Sequence, residues 1–418
     1  MDVLLEKAKR FHARNGVDLD EAQILAALAH RRRGNDLDDP RIADLVKFGI
    51  VPVRGGAVGS TPAATFAAVP SDQFFVIAPQ VFDEATILNV WSSATKAVPA
   101  FAASDGFDLP GRGLLAEIEI IFTGTLTVTP GTGTVTPTDL WPYGLLQNIK
   151  FSVNGSNLLN ANGQSYDYRR QVTTRKAPDS MTSAPTASGA NTVEIHWIVP
   201  VASSMKHLWG AILTQSDDLY ARLDYTIAPA PGTATLGGLF VLTGNAAVTL
   251  TGNIQLTYYA YDVPIVPIQG QGEKGVLPDT DVLHRFSEFS VPVVATGDTE
   301  LKLQQTAGEV QRVFLFLDNI GSLMDPASWN TVRFQFAETE EPTTWLVHQL
   351  LSRNARNYLG RITPKAAVID FAFYNEARDA LYPKGVANPK VIVNLPSTVT
   401  PNAGARLFGV QESLVGGA

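Results

Sequence analysis

The run YYAYDVPIVPIQGQGEKGVLPDTD occupies residues 258–281 and divides the sequence into two strand-rich parts. Three prolines and three glycines punctuate it, and proline lacks the N–H that a β-ladder needs while glycine weakens a strand. We therefore predict that the run is irregular and links two domains. The predicted linker covers residues 264–280, and its six punctuating residues are Pro264, Pro267, Gly270, Gly272, Gly275 and Pro278.

The three glycines also match the Gly-x-Gly-x-x-Gly pattern of dinucleotide-binding proteins. That motif requires a helix directly after the last glycine, so that the helix N-terminus can hold a pyrophosphate. Here Gly275 is followed by Val-Leu-Pro-Asp, which does not begin a helix. The glycines are interpreted as turn residues.

Composition indicates an all-β protein. Of 418 residues, 45% are hydrophobic and only 17% charged, with 34 Gly and 26 Pro, a profile typical of many strands joined by turns. The net charge of −8 argues against direct nucleic-acid binding, which needs clustered Lys and Arg. The absence of cysteine excludes disulfides and thiolate chemistry.

The first 54 residues are predicted to form a short helical arm, because apolar residues recur at three- and four-residue spacing. Four basic residues on the first helix leave two interpretations open: contact with an anionic membrane or neighbouring subunit, or a solvated helix end. They are Lys7, Lys9, Arg10 and Arg14. The arm has no apolar stretch of the kind found in a secretory signal, which favours assembly in a cytoplasm.

Residues 55–263 and 281–418 each read as strands, one late helix and further strands, so we predict two similar β-sandwiches. The late helices are expected at 203–214, with a serine cap, and at 345–359, capped by Thr343 or Thr344. A hairpin is predicted at Asn154-Gly155. Three Pro-, Gly- and Thr-rich stretches, at residues 123–140, 174–190 and 227–245, are predicted surface loops.

No catalytic, cofactor or metal constellation is evident. The six histidines lack the i, i+4 spacing of a metal-binding helix, and His196, His207 and His348 are interpreted as structural. Carboxylate clusters at 36–39, 217–218 and 338–341 are interpreted as capping or solvated groups. Tyrosines at 166, 168, 258, 259 and 261 favour a sheet core or subunit contact over a glycan-stacking surface.

Three stretches resemble the double jelly-roll major capsid proteins of tectivirus-like bacteriophages, which are tailless, contain double-stranded DNA and enclose an internal membrane. They are the tyrosine strand with the linker, WIVPVASSMKHLWGAILTQSDDLYARLDY at 197–225, and the C-terminal run that begins YPKGVANPKVIVNL at 382. The arm of about 50 residues is longer than the short basic arm usual in that family.

The resemblance implies two tandem jelly rolls and a homotrimer whose six barrels form a pseudo-hexagonal capsomer of an icosahedral virion shell. It further implies outward loops at 123–140 and 227–245, an arm facing the membrane and other virion proteins, and no enzyme activity. A two-domain jelly-roll carbohydrate-binding protein or glycoside hydrolase is the alternative. A bacterial surface-layer or fibre protein is a third interpretation.

Overall fold

A computed structural model describes much of the chain from residue 75 onward. The described residues are 75–77, 87–174, 187–203, 208–215, 219–232, 236–268, 272–278, 282–304, 308–335, 343–358, 365–372 and 389–416. The predicted helical arm at 1–54 and residues 175–186 of the predicted loop at 174–190 lie outside them. None of the helices in these ranges is long and apolar enough to span a membrane.

The elements before residue 262 belong mainly to the first predicted sandwich. In chain order they are β1 (Phe75–Ile77), β2 (Leu88–Ser92), β3 (Lys96–Val98), β4 (Ser104–Asp108), β5 (Leu114–Thr129), β6 (Val135–Pro137), β7 (Leu146–Val153), β8 (Ser156–Ala161), α1 (Gly163–Thr174), β9 (Gly189–Pro200), β10 (Ile212–Leu213), β11 (Ala221–Ile227), β12 (Phe240–Leu242) and β13 (Ala247–Tyr261).

The elements after residue 264 complete the chain. They are β14 (Ile265–Ile268), β15 (Gly272–Leu277), β16 (Val282–Pro292), β17 (Gly297–Lys302), β18 (Glu309–Asp318), β19 (Leu323–Met324), β20 (Thr331–Gln335), β21 (Thr343–Leu346), α2 (Val347–Asn357), β22 (Ala367–Asp370), β23 (Lys390–Leu395) and β24 (Arg406–Gly416).

The chain divides into two compact units, one comprising residues 1–85 with 264–278 and the other comprising 86–263 with 279–418. In the smaller unit, β15 lies between β1 and β14, parallel to the first and antiparallel to the second. The prediction that this proline-rich run excludes regular ladders is therefore wrong. Pro267 is tolerated because β14 is an edge strand with only one neighbouring strand, and proline, which lacks an N–H, is found in sheets mainly at such edges.

The larger unit contains both jelly rolls. In the first, a six-stranded sheet with the order β10-β5-β13-β2, to which β9 and β3 add, faces strands β8, β7, β11 and β4. In the second, the four-stranded sheet β17-β23-β20-β21 faces β16, β24, β18, β19 and β22. Buried and more exposed side chains alternate along a strand that has one face in the core. On β5, for example, Ile118, Ile120 and Phe122 are all buried.

One nine-stranded sheet runs through both jelly rolls. It is continuous because β8 of the first pairs in parallel with β16 of the second, with Phe286 opposite Leu159 and Ser287 opposite Asn160. Strand β18 is buried on both faces: Val313 and Leu315 pack in the second core, whereas Phe314 and Phe316 pack in the first. A strand covered on both sides has apolar residues at consecutive positions, which explains the sequence VFLFL at 313–317.

A glycine pair fixes the middle of the long β5–β13 ladder. Gly124 lies opposite Gly252, and a Cβ on either would come within 2.6–2.7 Å of the Phe122 ring. The Phe122 ring therefore packs against both glycines, and residues 123–129 continue as part of β5. The predicted surface loop at 123–140 is wrong over that part. Its remainder contains β6, which pairs with β12 from the predicted loop at 227–245.

The helix predicted at 203–214 is also wrong over the described residues 208–214. Gly210 has a φ of 83°, and the segment ends in β10. The helix of the first jelly roll is instead α1, whereas the predicted second helix is confirmed as α2. Neither threonine caps α2, because both lie in β21 and the N-cap is Leu346. The Asn154-Gly155 hairpin is confirmed, with both residues at positive φ.

Candidate functional site at the junction of the two jelly rolls

Helix α1 lies between the two jelly rolls and forms their junction. Tyr166 packs against Phe286 of the second jelly roll, with ring centroids 5.1 Å apart, and Tyr168 packs edge-on against Phe316 at 5.6 Å. Both tyrosines are buried, and burial raises their pKa values above the usual range. The sequence favoured a sheet core or subunit contact for these tyrosines; they do lie in the core, but on a helix.

Polar residues on α1 are buried with the apolar ones. Ser165, Asp167, Arg169 and Gln171 are each less than 7% exposed. A helix that is buried on nearly every side carries no amphipathic stripe, so periodicity does not reveal it. The helix is positioned by specific polar partners on both jelly rolls, and Glu288 and Glu412 are those on the second.

The central partner is Glu412 on β24. Its Oε1 accepts from Arg169 Nε at 2.7 Å and its Oε2 accepts from Arg312 Nη1 at 2.9 Å, and the carboxylate is fully buried. Burial opposes ionisation, but Arg169, Arg312 and His284 outweigh it and hold the pKa of Glu412 well below its usual value. Arg312 also lies 3.3 Å from Asp370 Oδ1. The junction therefore contains a buried ionic network in which each carboxylate faces a guanidinium.

His284 extends this network. Its Nδ1 lies 2.9 Å from Pro200 O and its Nε2 lies 3.1 Å from Glu412 Oε1, and both oxygens can only accept. Burial lowers the pKa of His284, against the effect of the Glu412 hydrogen bond. A neutral ring donates to only one of the two oxygens, whereas the protonated ring donates to both.

Glu288 on β16 contacts the start of α1. Its Oε2 accepts from Asn162 N at 2.9 Å and from Ser165 Oγ at 3.0 Å. Asn162 Oδ1 in turn accepts from Ser165 N at 2.8 Å, in the manner of an N-cap. Burial raises the pKa of Glu288 to about 7, while the hydrogen bonds oppose that shift. A carboxylate of the second jelly roll thus completes a helix start of the first.

Asp318 makes a third contact of this kind at the end of β18. Its Oδ2 accepts from Gly237 N of the first jelly roll at 3.2 Å, and its Oδ1 accepts from Gly321 N at 3.0 Å. Burial raises its pKa, against the backbone hydrogen bonds. In the opposite direction, Asp139 Oδ2 of the first jelly roll accepts from Leu323 N at 2.9 Å.

A cavity of about 290 Å³ lies within the junction, between Glu288 and Asp318. Its aromatic wall is Phe316 stacked on Phe408, with centroids 5.0 Å apart and planes 6° from parallel. Gln164 of α1 also lines the cavity; it is 5% exposed, and its Oε1 has no hydrogen-bond partner among the described residues.

The residues predicted as sites from sequence lie elsewhere. Pro264, Pro267, Gly272, Gly275 and Pro278 belong to the smaller unit, and Gly270 and the four basic arm residues lie outside the described ranges. The linker role therefore stays a prediction. The junction was missed; its only sequence signals are polar runs beside apolar ones, YDYRRQ at 166–171 and QES at 411–413.

The described histidines occupy hydrogen-bonded positions or a helix surface. His196 lies between Glu119 and Glu194, with ring nitrogens 2.7 and 2.8 Å from their oxygens. Burial opposes its protonation, but the two carboxylates outweigh burial and raise its pKa. His348 is on α2, and His207 lies outside the described residues. Within the described ranges, no group of three His, Cys, Asp or Glu residues is arranged to hold a metal ion.

No protein-family model matches the chain, and no curated protein matches its sequence. Solved structures do match its fold. The crystal structure of the STIV MCP aligns at 16% identity over 78% of this chain and 97% of that chain, with a TM-score of 0.56. A chain in the atomic structure of Sulfolobus Turreted Icosahedral Virus aligns at 15% identity over 78% and 90%, with a TM-score of 0.58.

A chain of the PBCV-1 virus capsid aligns at 11% identity over 79% of this chain and 94% of that chain, with a TM-score of 0.52. These identities are low, so the likeness concerns the fold. The chain therefore has the double jelly-roll fold seen in viral major capsid proteins.

Proposed function

We propose that the protein is a viral major capsid protein, a structural subunit without catalytic activity that is located in the virion shell. The observation that carries the proposal is the joining of two jelly rolls by one sheet and a buried junction, in a chain whose fold resembles the viral capsid chains described above. Two similar domains per chain allow three subunits to occupy a six-fold lattice position. That use requires the two domains to keep a fixed angle, which a buried ionic network favours.

The first jelly roll has an exposed apolar strand that suits a subunit contact. Strand β2 is at the end of the six-stranded sheet, and Ile87, Leu88 and Val90 are 65%, 43% and 54% exposed. An apolar edge strand left in water tends to pair with another chain. We name residues 87–92 the β2 edge and propose that it contacts a second copy of the chain.

The second jelly roll offers separate apolar positions for such a contact. Val294, just after β16, is 92% exposed, and Leu346, at the end of edge strand β21, is 43% exposed. Contact between two different patches is heterologous, and such contacts form a closed ring when the rotation closes. We propose a ring of three subunits that tiles as a pseudo-hexagonal capsomer.

Light scattering of the purified protein tests this proposal. A homotrimer has three times the 44.9 kDa mass of the chain. Replacing both Leu88 and Val90 with lysine is expected to shift the mass toward the monomer, because charge at an apolar contact must be desolvated. Thr249→Lys, at an exposed position of β13, is the control. A stable wild-type monomer, or a double variant that remains trimeric, contradicts the proposal.

We also propose which segments of the chain face the outside and the inside of the shell. Strands β6 and β12 lie in the segments at 123–140 and 227–245, which we propose to face outward. The basic residues Lys7, Lys9, Arg10 and Arg14 are proposed to contact an internal viral membrane and other virion proteins. Co-sedimentation with anionic vesicles tests the membrane contact: replacing the four with glutamine should abolish it, and unchanged binding contradicts it.

A further inference from the structure

The junction cavity is lined by two acceptors, Glu288 and Gln164, to which no positively charged group donates among the described residues. Glu288 lines the cavity and is partly exposed, and its Oε2 accepts from the backbone N–H of Asn162 and from the hydroxyl of Ser165, both neutral. Gln164 Oε1 is buried without a donor among the described residues. An ionised carboxylate in such a place is costly unless a cation or a proton accompanies it.

The remaining lining favours an organic cation over a metal ion. Phe408 is a diagonal cross-strand neighbour of Glu288, since Glu288 pairs with Val410. The stacked Phe316 and Phe408 rings provide an apolar wall for the aliphatic part of an organic cation. Calcium, by contrast, takes six to eight oxygen ligands. Among the described residues, no three His, Cys, Asp or Glu side chains are grouped so that they could hold a metal ion.

We propose that this cavity binds a primary ammonium carried on a short aliphatic chain, with the ammonium at Glu288 and Gln164 and the chain on the Phe316–Phe408 pair. The cavity volume of about 290 Å³ is near the lower end for ligand pockets, about 300 Å³. The ligand would bridge the two jelly rolls, since Gln164 belongs to the first and the other three residues to the second. The proposal is independent of the proposed capsid function.

The charged surroundings of Glu288 are mixed. On α1, Tyr166 is protonated and Arg169 is paired with Glu412. The cavity is also lined by Asp318 and by Arg406, whose exposed side chain donates from Nη1 to Ser290 Oγ at 3.2 Å. With a pKa of about 7, Glu288 is largely protonated at pH 6, so an arriving ammonium displaces a proton.

Isothermal titration calorimetry of the full-length protein with n-butylamine tests the proposal, and n-butanol serves as the neutral isostere. We expect n-butylamine to bind at least tenfold more tightly than n-butanol. At pH 6, buffers of different ionisation enthalpy should report release of about one proton. Glu288→Gln should weaken n-butylamine binding at least tenfold and abolish proton release. Glu300→Gln, which removes an exposed carboxylate of β17, should change neither.

Several results would overturn the proposal. One is equal affinity for n-butanol and n-butylamine. A second is an equal loss of n-butylamine affinity in the Glu288 and Glu300 variants, which would indicate general attraction to an acidic protein. A third is binding of Mg²⁺ or Ca²⁺ instead of the amine. If Glu288→Gln does not fold, Gln164→Leu replaces it with the same expectation of weaker amine binding. Unchanged binding in that variant would also contradict the site.

Discussion

Arg169 Nε on α1 donates to Glu412 Oε1 on β24 at 2.7 Å, and this pair joins the two jelly rolls through a contact 243 residues apart in sequence. Its carboxylate is fully buried, and Arg312 Nη1 contacts the second oxygen at 2.9 Å. Removing one partner of such a network leaves the other charges buried and uncompensated.

Glu412→Gln is therefore expected to lower the free energy of unfolding by about 3–5 kcal/mol. Denaturant unfolding monitored by tryptophan fluorescence measures the change. The control is Glu300→Gln, whose carboxylate is half exposed and pairs with Lys390 Nζ at 2.8 Å. Exposed pairs contribute about 0–1 kcal/mol, so similar losses in both variants would show that the buried network does not stabilise the junction.

The raised pKa of Glu288 predicts a dependence of stability on pH. Its folded-state pKa of about 7 lies above the ordinary value of 4.5, so the folded protein binds the proton more tightly. The resulting stabilisation is fully present below about pH 4.5 and is lost as the pH rises through about 7.

Glu288→Gln retains a neutral acceptor and is expected to remove this loss. At pH 8.5 the variant should be more stable than the wild type by about 3 kcal/mol, and near pH 4.5 the two should be similar. Comparing the two proteins cancels the titration of the other carboxylates and of His284. Parallel stability profiles from pH 4.5 to 8.5 would contradict the assignment.

Gly163 is required by close packing at the first residue of α1. A Cβ there would collide with Tyr143 O and Trp197 Nε1, the acceptor and donor of a buried hydrogen bond of 2.9 Å. Gly163→Ala is expected to lower the unfolding free energy by about 1–3 kcal/mol despite the better helix propensity of alanine.

Thermal unfolding of Gly163→Ala and Gly416→Ala measures this effect. A Cβ at Gly416 would have no neighbour within 4 Å, so that variant controls for the added methyl group. An unchanged melting temperature for Gly163→Ala would mean that Tyr143 and Trp197 move apart freely.

The linker prediction is tested by replacing Pro264, Pro267 and Pro278 with glycine. Glycine increases the conformational freedom of the chain, so we expect folded jelly rolls but impaired trimer or shell formation. Circular dichroism measures the fold, and negative-stain imaging measures hexagonal particles. Pro396→Gly with Pro401→Gly, between β23 and β24, is the control, and normal assembly of the linker variant would reduce the segment to a tether.

Much of the strand pattern was predictable because alternation and turn chemistry are local properties. The Asn154-Gly155 hairpin follows from turn chemistry, and β9 and β11 show the alternation of buried and more exposed residues that such patterns detect. The failures occurred where tertiary contacts override composition. Residues 123–129 look like a loop but continue β5, because partners on both sides, β9 and β13, complete its hydrogen bonds.

The sequence alone determined an all-β chain in two strand-rich parts, because periodicity and turn residues act over a few positions. Only the tertiary structure decided how the two parts join. Helix α1 has no apolar stripe, and its polar side chains are stabilised by residues more than 100 positions away, such as Glu288 and Glu412. These contacts are strengthened by the low effective dielectric constant away from water. Which residues are removed from water is decided by the whole fold.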